Sequence, residues 1–582
     1  MRKTKIICTI GPASEETGIL QEMIKNGMNV ARLNFSHGNY EEHQKRIDNV
    51  RKAAVSLGKT VAVMLDTKGP EIRTGNLKAG KVKLEAGQRF VLTTRNVAGD
   101  ENEVHVNYRK MPAELKSGNT ILLSDGLINL HVDECTETDI ICTVINGNEL
   151  GEKKGVNVPG VRVNLPFLSE KDKEDINFGI DNEVDFIAAS FVRTAEDVLE
   201  IRRILEERDV DIDIIAKIES QEGVDNLEAI IKVSDGVMVA RGDLGVEIPP
   251  EEVPLVQKTM VEKCHLAGKI VIIATQMLDS MIVNPRPTRA EVSDVANAIF
   301  EGADAIMLSG ETAAGKYPRE VIETMARIAK KAEESLPYRE ILRKKRLQGN
   351  ISVTDAISYA SCATAMNLGA SAIISTTSTG YTARMIAKYR PQAMIIAATP
   401  SLRIMKKLAL VWGVYTLLIP ETSSTDELFD ISIELALENN YVNNGDLLVL
   451  TAGIPSGRSG GTNQLKVHIV GDILVQGMGI GEKPASGRVR IVNYPEDLAK
   501  IQLGDIVVCR SADSSLVPYL NKIEALVAEA GGLTSDAAIM GLNANIPVIV
   551  GAQNACELLR DDMLVTVDTV RGRVYRGLAR AL

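Results

Sequence analysis

The stretch Gly236-Val237-Met238-Val239-Ala240-Arg241-Gly242-Asp243 passes from a β-rich run straight into charge. Seven more runs share that character: Lys5–Thr9, Asn29–Leu33, Val61–Leu65, Val184–Ala189, Asp213–Ile218, Ile270–Ala274 and Ala305–Leu308. Helical patterns follow them, and Thr194 with Asp197 and Thr288 with Glu291 have capping-box spacing. Strands alternating with helices in this way predict an α/β chain built on a (β/α)8 TIM barrel.

The third strand-to-helix connection is far longer than the rest. Between Glu71 and Ser169 apolar and polar residues alternate, as in Lys81-Val82-Lys83-Leu84-Glu85, and turns are rich in Gly and Asn. This predicts a small all-β domain (71–168) inserted in a barrel spanning 1–70 and 169–345. A third unit, 346–473, places helix-like Thr354–Asn367 before strands Ala372–Ser375, Met394–Ala397 and Leu447–Leu450, an α/β pattern. Glycine-rich Gln476-Gly477-Met478-Gly479-Ile480-Gly481 reads as a linker into a fourth α/β unit, 474–582, with β-rich runs at Ile506–Cys509, Ala525–Ala528 and Pro547–Val550.

Composition narrows the partners. The 582 residues carry 66 Lys and Arg against 77 Asp and Glu, a net charge of −11, which disfavours nucleic acid as the main partner. No apolar run approaches the roughly 20 residues that span a bilayer. Ile6–Ile10 is too short for the core of a signal peptide. Seven scattered cysteines without a CxxC pair read as reduced thiols, so a cytoplasmic location is expected.

In a barrel the chemistry sits where strands end. After the second run come Arg32, Asn34, Ser36 and His37; after the third, Asp66, Thr67, Lys68 and Arg73. The fifth carries Lys217 and Glu219, the sixth Arg241 and Asp243, the seventh Thr275 and Gln276, the eighth Ser309 and Glu311. Turn residues would be the ordinary endings, and solvated loop charges are the bland alternative.

Glu219 and Asp243 suit a Mg2+ that keeps waters and shares phosphate oxygens. Lys217 points to the same face as Glu219 and suits charge on a transferring phosphoryl group, a surface ion pair being the alternative. Arg32 and Arg73 can fork to phosphate or carboxylate oxygens. Gly242 leaves a backbone N–H accessible to a ligand, or is a plain turn. Asn34, Ser36, Asp66 and Thr67 supply neutral oxygens around one carboxylate, which suits a monovalent cation or, equally, hydrogen bonds between two strands. Gly310–Tyr317 fails the P-loop pattern at its last position. His37 fits a structural turn better than a general base.

At these residues the chain resembles pyruvate kinases. The carrying motifs are Arg32-Leu33-Asn34-Phe35-Ser36-His37-Gly38, Leu65-Asp66-Thr67-Lys68-Gly69-Pro70-Glu71-Ile72-Arg73, Ala216-Lys217-Ile218-Glu219, Val239–Pro249, Ala274–Leu278 and Leu308–Thr312. The resemblance extends over about residues 1–473 and implies that the barrel is catalytic and that the inserted domain, 71–168, is a small β-barrel lid over its mouth. It implies a glycolytic phosphotransferase that moves the phosphoryl group of phosphoenolpyruvate to ADP, giving pyruvate and ATP; a catalytically inactive, metabolite-sensing homologue is the alternative. Carried over by position, Arg32, Lys217 and Thr275 are catalytic, and Arg32, Lys217, Gly242, Asp243 and Thr275 bind substrate. Asn34, Phe35, Ser36, His37, Arg73 and Lys154 face nucleotide. Glu219 and Asp243 hold Mg2+; Asn34, Ser36, Asp66 and Thr67 hold K+, with Glu71 matching the K+-dependent members.

In the third unit Thr377, Ser378, Thr379, Gly380 and Thr382 resemble the family's effector pocket, which takes a phosphorylated metabolite such as AMP or a sugar phosphate and activates allosterically. A homotetramer is implied. In the fourth unit Gly531–Ile539 resembles the swivelling phosphohistidine domain of phosphoenolpyruvate utilisers, but Asp536 stands where the histidine belongs. Bacterial members with this appendage form a subset, and the missing imidazole implies a domain that carries no phosphate.

Overall fold

The computed structural model describes residues 1–345, 351–422, 424–453, 461–471 and 473–577. The expected boundary at 346 and the end of the fourth unit at 582 lie outside the described residues. The chain divides into two compact units, Met1–Leu336 with Lys406–Gly413, and Pro337–Met405 with Val414–Leu582.

The first unit holds the barrel. Its strands are β1 (Lys5–Thr9), β2 (Val30–Asn34), β3 (Ala62–Asp66), β4 (Phe186–Ala189), β5 (Asp213–Ile218), β6 (Gly236–Ala240), β7 (Ile270–Ala274) and β8 (Ala305–Leu308). All are parallel, each pairs with its sequence neighbour, and β8 closes onto β1 through Lys5–Ala305 to Cys8–Leu308. They are short and apolar because both faces are covered, and in most of them every residue is buried. Ile6, Leu33, Leu65 and Ile187 pack outward against helix residues such as Leu20, Met23 and Ile47. The capping boxes read at Thr194 and Thr288 form, and a third joins Ser169 to Asp172.

The inserted β domain comprises a six-stranded sheet and a two-stranded ribbon, with further bridges at Arg73–Gly155, Thr74–Val106 and Leu77–Gly99. Arg73 and Thr74 thus bridge beside both edge strands of the six-stranded sheet, Val156–Asn157 and Glu103–His105, which fits the small barrel expected. Its core is its own: Phe90, Leu92, Ile121, Leu130, Val132 and Ile140 are buried together.

The second unit holds two further sheets. Strands Ala372–Thr376, Met394–Thr399, Val414–Leu418, Leu447–Gly453 and Thr462–Ile469 form a five-stranded sheet, flanked by helices Val353–Leu368 and Thr425–Glu438. An eight-stranded mixed sheet starts at Ile473–Gln476 and ends at Arg573–Arg576. Gln476–Gly481, expected to be a linker, is instead the end of one strand and all of the next, Met478–Ile480. The glycines serve close packing: a Cβ on Gly479 would stand 1.7 Å from the Thr569 carbonyl oxygen.

Candidate active site

Strand ends of the first unit converge on one carboxylate. Asp66, the last residue of β3, is 1% exposed. Its Oδ2 accepts from Arg32 Nε at 2.6 Å, and its Oδ1 from Lys217 Nζ at 3.0 Å. Arg32 ends its reach at the Thr9 hydroxyl, 2.8 Å away. Burial alone would push the Asp66 carboxyl up, but Arg32 and Lys217 outweigh it and hold the group below the usual range.

Lys217 projects from β5 between two acids, with Glu219 Oε1 at 3.1 Å and the Ser190 hydroxyl at 2.6 Å. Burial works against its charge, yet Asp66 and Glu219 hold its pKa above that of an ordinary lysine. The site therefore carries a fixed, desolvated positive charge at neutral pH. Glu219 accepts from the Phe191 N–H at 2.6 Å, with the Asp243 carboxylate close enough to raise its pKa. Burial raises both acids, and their mutual proximity adds to the rise at Glu219, which reaches about 7.

Two neighbouring buried carboxylates, both pushed up by burial, suit a divalent cation whose charge would compensate theirs. Among the described residues no group of three or more His, Cys, Asp or Glu is placed to hold a metal. A cation at Glu219 and Asp243 would thus complete its shell with water and substrate oxygens, which fits Mg2+.

Gly242 and Thr275 meet directly: the Gly242 N–H donates to the Thr275 hydroxyl at 2.8 Å, and that hydroxyl donates to the Ala274 carbonyl at 2.6 Å. Thr275 and Gln276 both lie in the left-handed region, φ 68° and 55°. Such a conformation costs about 1–3 kcal/mol per residue and needs outside support. Arg241 supplies it, donating to the Thr275 carbonyl at 2.8 Å while forking onto Asp294 at 2.6 and 2.7 Å. Glu311 supplies more, accepting from the Leu278 and Ser309 N–H groups.

The monovalent-cation set is drawn together in part by protein contacts. Asn34 Oδ1 accepts from the Ser36 N–H at 3.1 Å, and the Thr67 carbonyl accepts from the Ser190 hydroxyl at 2.7 Å. Carbonyl and carboxylate oxygens keep further lone pairs, so the set fits a K+ that demands little charge. Phe35 stacks on His43 at 4.0 Å, and His43 Nε2 lies 3.0 Å from the His37 carbonyl.

A cavity of about 530 Å³ opens beside this centre, walled by His37, Glu71, Arg73 and Lys154 on one part and Asp243 and Glu247 on another. Arg73 is held by Glu71 at 2.7 Å and by the Lys153 carbonyl at 2.9 Å. Asn157 of the inserted domain donates to Glu247 of the barrel at 2.8 Å.

Ser190, which touches Lys217, Asp66 and Thr67 at once, was missed from sequence. The signal was Ala189-Ser190-Phe191 at the end of the fourth run, an ending without charge. The Gly310–Tyr317 stretch is no phosphate loop: Gly310–Ala313 is a short helix, and Glu311 faces inward.

In the second unit, Thr377 to Thr382 bridge strand Ala372–Thr376 and helix Tyr381–Lys388. Thr377 and Thr379 hydroxyls accept from the Gly380 and Tyr381 N–H groups, Gly380 has φ 78°, and buried Thr382 is bonded to Thr462. Asp536 opens helix Asp536–Ala544, capped by the Ser535 hydroxyl.

A parallel barrel that gathers permanent cations and acid pairs at one mouth has the build of a barrel phosphotransferase. Family models agree in detail: the barrel domain of pyruvate kinase matches residues 1–322, its alpha/beta domain 355–468, and the mobile domain of PEP-utilising enzymes 501–572. Pyruvate kinases of Geobacillus stearothermophilus and Bacillus licheniformis are 52% and 53% identical, over the whole of both chains. A crystal structure of a pyruvate kinase from Cryptosporidium parvum superposes with a TM-score of 0.77 at 41% identity, covering 80% of this chain and 96% of the other. The chain belongs to the pyruvate kinase family. It is a glycolytic phosphotransferase acting on phosphoenolpyruvate and ADP. No helix of the described residues is long and apolar enough to cross a membrane.

Proposed function

We propose that this pyruvate kinase works with Mg2+ at Glu219 and Asp243 and K+ at Asn34, Ser36, Asp66 and the Thr67 carbonyl. The observation that carries the reading is the Lys217 ammonium, buried between Asp66 and Glu219 at 3.0 and 3.1 Å. A desolvated, preorganised charge acts where a phosphoryl group develops negative charge in transit. Arg32 holds that group from the far side of Asp66. Gly242 and Asp243 backbone N–H groups, with Thr275, take the carboxylate, the Gly242 N–H giving up its bond to the Thr275 hydroxyl as it does so, and Thr275 stands near the proton that reaches the enolate. Glu219 and Asp243 would hold Mg2+, which would supply positive charge to the phosphate oxygens. Arg73 and Lys154, on the inserted domain, with Asn34, Phe35, Ser36 and His37, face the nucleotide, and lid closure excludes water.

The four-domain division, a homotetramer in the cytoplasm and allosteric activation complete the reading. Thr377, Ser378, Thr379, Gly380 and Thr382 would take the phosphate of AMP or a sugar phosphate at a helix N-terminus. With Asp536 in place of histidine, the fourth domain tunes assembly or response without carrying phosphate.

The deciding experiment measures pyruvate release from phosphoenolpyruvate and ADP with Mg2+, with and without K+, and again after chelation. Activity that needs both ions supports both sites. Full activity in K+-free buffer would remove the Asn34, Ser36, Asp66 and Thr67 assignment and keep the enzyme.

A further inference from the structure

The inserted domain leaves the barrel after β3 and returns at helix Glu170–Asp181, so two chain segments form its hinge. One carboxylate spans them. Asp172, 1% exposed, turns Oδ1 toward the outgoing segment, where it accepts from the Gly69 N–H at 3.1 Å. Its Oδ2 accepts from both the N–H (3.0 Å) and the hydroxyl (2.5 Å) of Ser169 on the returning segment. A capping box needs only the second of these. The first is surplus to helix capping and joins residues 103 apart in sequence.

Gly69 is not free to move. It has φ +74°, and a Cβ there would lie 2.9 Å from Ser190 Cβ and 3.0 Å from the Phe191 ring. Ser190 and Phe191 are the residues that hold Lys217 and Glu219. The returning segment has a second anchor in Arg193, which donates to the Val163 and Leu165 carbonyls at 2.9 and 2.8 Å.

We propose that Asp172 is a positioning residue: it clamps the two hinge segments together against the Ser190–Phe191 turn, setting lid closure and the seat of Lys217 and Glu219 in one register. The inference rests on the reading that the lid carries the nucleotide grip. Asp172→Ala should raise KM for ADP about fivefold while KM for phosphoenolpyruvate moves less than about twofold. The Gly69 amide should exchange with deuterium about a hundredfold faster. Ser169→Ala, which trims the cap and keeps the Asp172–Gly69 bond, should do neither.

Should Asp172→Ala not fold, Asp172→Asn decides in its place, since one amide oxygen can serve only one of the two donor sets. A Ser169→Ala enzyme that reproduces the Asp172 phenotype reduces Asp172 to a helix cap and overturns the clamp. So does an unmoved KM for ADP when Lys154→Ala raises it. If Lys154→Ala leaves KM for ADP unchanged, the nucleotide reading of the lid has failed. The Gly69 amide then decides alone: fast exchange in the Asp172 variant supports the clamp, and slow exchange removes it.

Discussion

Lys217 and Asp66 meet at 3.0 Å although the strands that carry them are separated by a third, β4. The same carboxylate holds Arg32 at 2.6 Å, so one buried negative charge seats two cations. Replacing it with a neutral group strands both. Asp66→Asn should lower unfolding free energy by about 3 kcal/mol, the usual cost of breaking a buried pair. Urea titration followed by circular dichroism measures this; an unchanged midpoint would show that water or a bound ion already balances the cations.

Lys217 is the charge placed to stabilise transfer. Lys217→Met keeps the bulk of the stem and removes the ammonium, so turnover should fall by about three orders of magnitude or more. Steady-state pyruvate release at saturating substrates is the measurement. A loss below tenfold contradicts the role.

Ser190 orients that ammonium without bearing charge itself. Ser190→Ala should lower kcat about tenfold, with KM for phosphoenolpyruvate changed much less, because it removes a neighbour of Lys217 rather than a ligand contact. A large rise in KM with kcat intact would place the hydroxyl against substrate instead.

His43 predicts a pH dependence of stability. Burial is the main cause that lowers its pKa from 6.5 to about 4, with Arg46 adding to it. The Nε2–H donates to the His37 carbonyl, and Nδ1 is buried without a partner, so a second proton has nowhere to bond. Between about 4 and 6.5 the unfolded chain binds the proton and the folded chain does not. Stability from this residue is therefore complete above pH 6.5 and drains away as pH falls toward 4. Chemical denaturation at pH 7.5, 6 and 5 should show that decline, and His43→Gln should flatten it; parallel slopes in both proteins would dismiss it.

The eight-stranded sheet has its own buried core, Val489, Ile506, Val508, Val527, Ile549 and Val567 among it. A chain ended after Gly471 should keep basal turnover and lose tetramer stability or effector activation. Sedimentation and activation curves test this, and no change in either would leave the appendage without a role in assembly or regulation.

Much of the barrel was legible because its strands are covered on both faces. Such strands become unbroken apolar runs such as Ile270–Ala274, and the charge that ends them marks the mouth. The fourth run ends in neutral Ser190-Phe191 with no charge or motif to mark it, and Ser190 escaped. The hydrogen bond that fills one lone pair of the Thr67 carbonyl joins residues 123 apart, and no local pattern encodes it. Gln476–Gly481 misled for a related reason. Glycine is read as slack, whereas Gly477 and Gly479 are small so that Val550 and Thr569 can come close. Strands Val414–Leu418 and Thr462–Ile469, at the two edges of the five-stranded sheet, also went unread; they are half-covered and mix polar residues into the run.

The first and last strands of the eight-stranded sheet run side by side, with Ile473 opposite Tyr575 and Gln476 opposite Arg573. Neighbouring strands are about 5 Å apart, so the way in and the way out of this domain nearly coincide. A module with adjoining ends is a cassette. It can be fused to a host, exchanged or circularly permuted at the cost of a single short join.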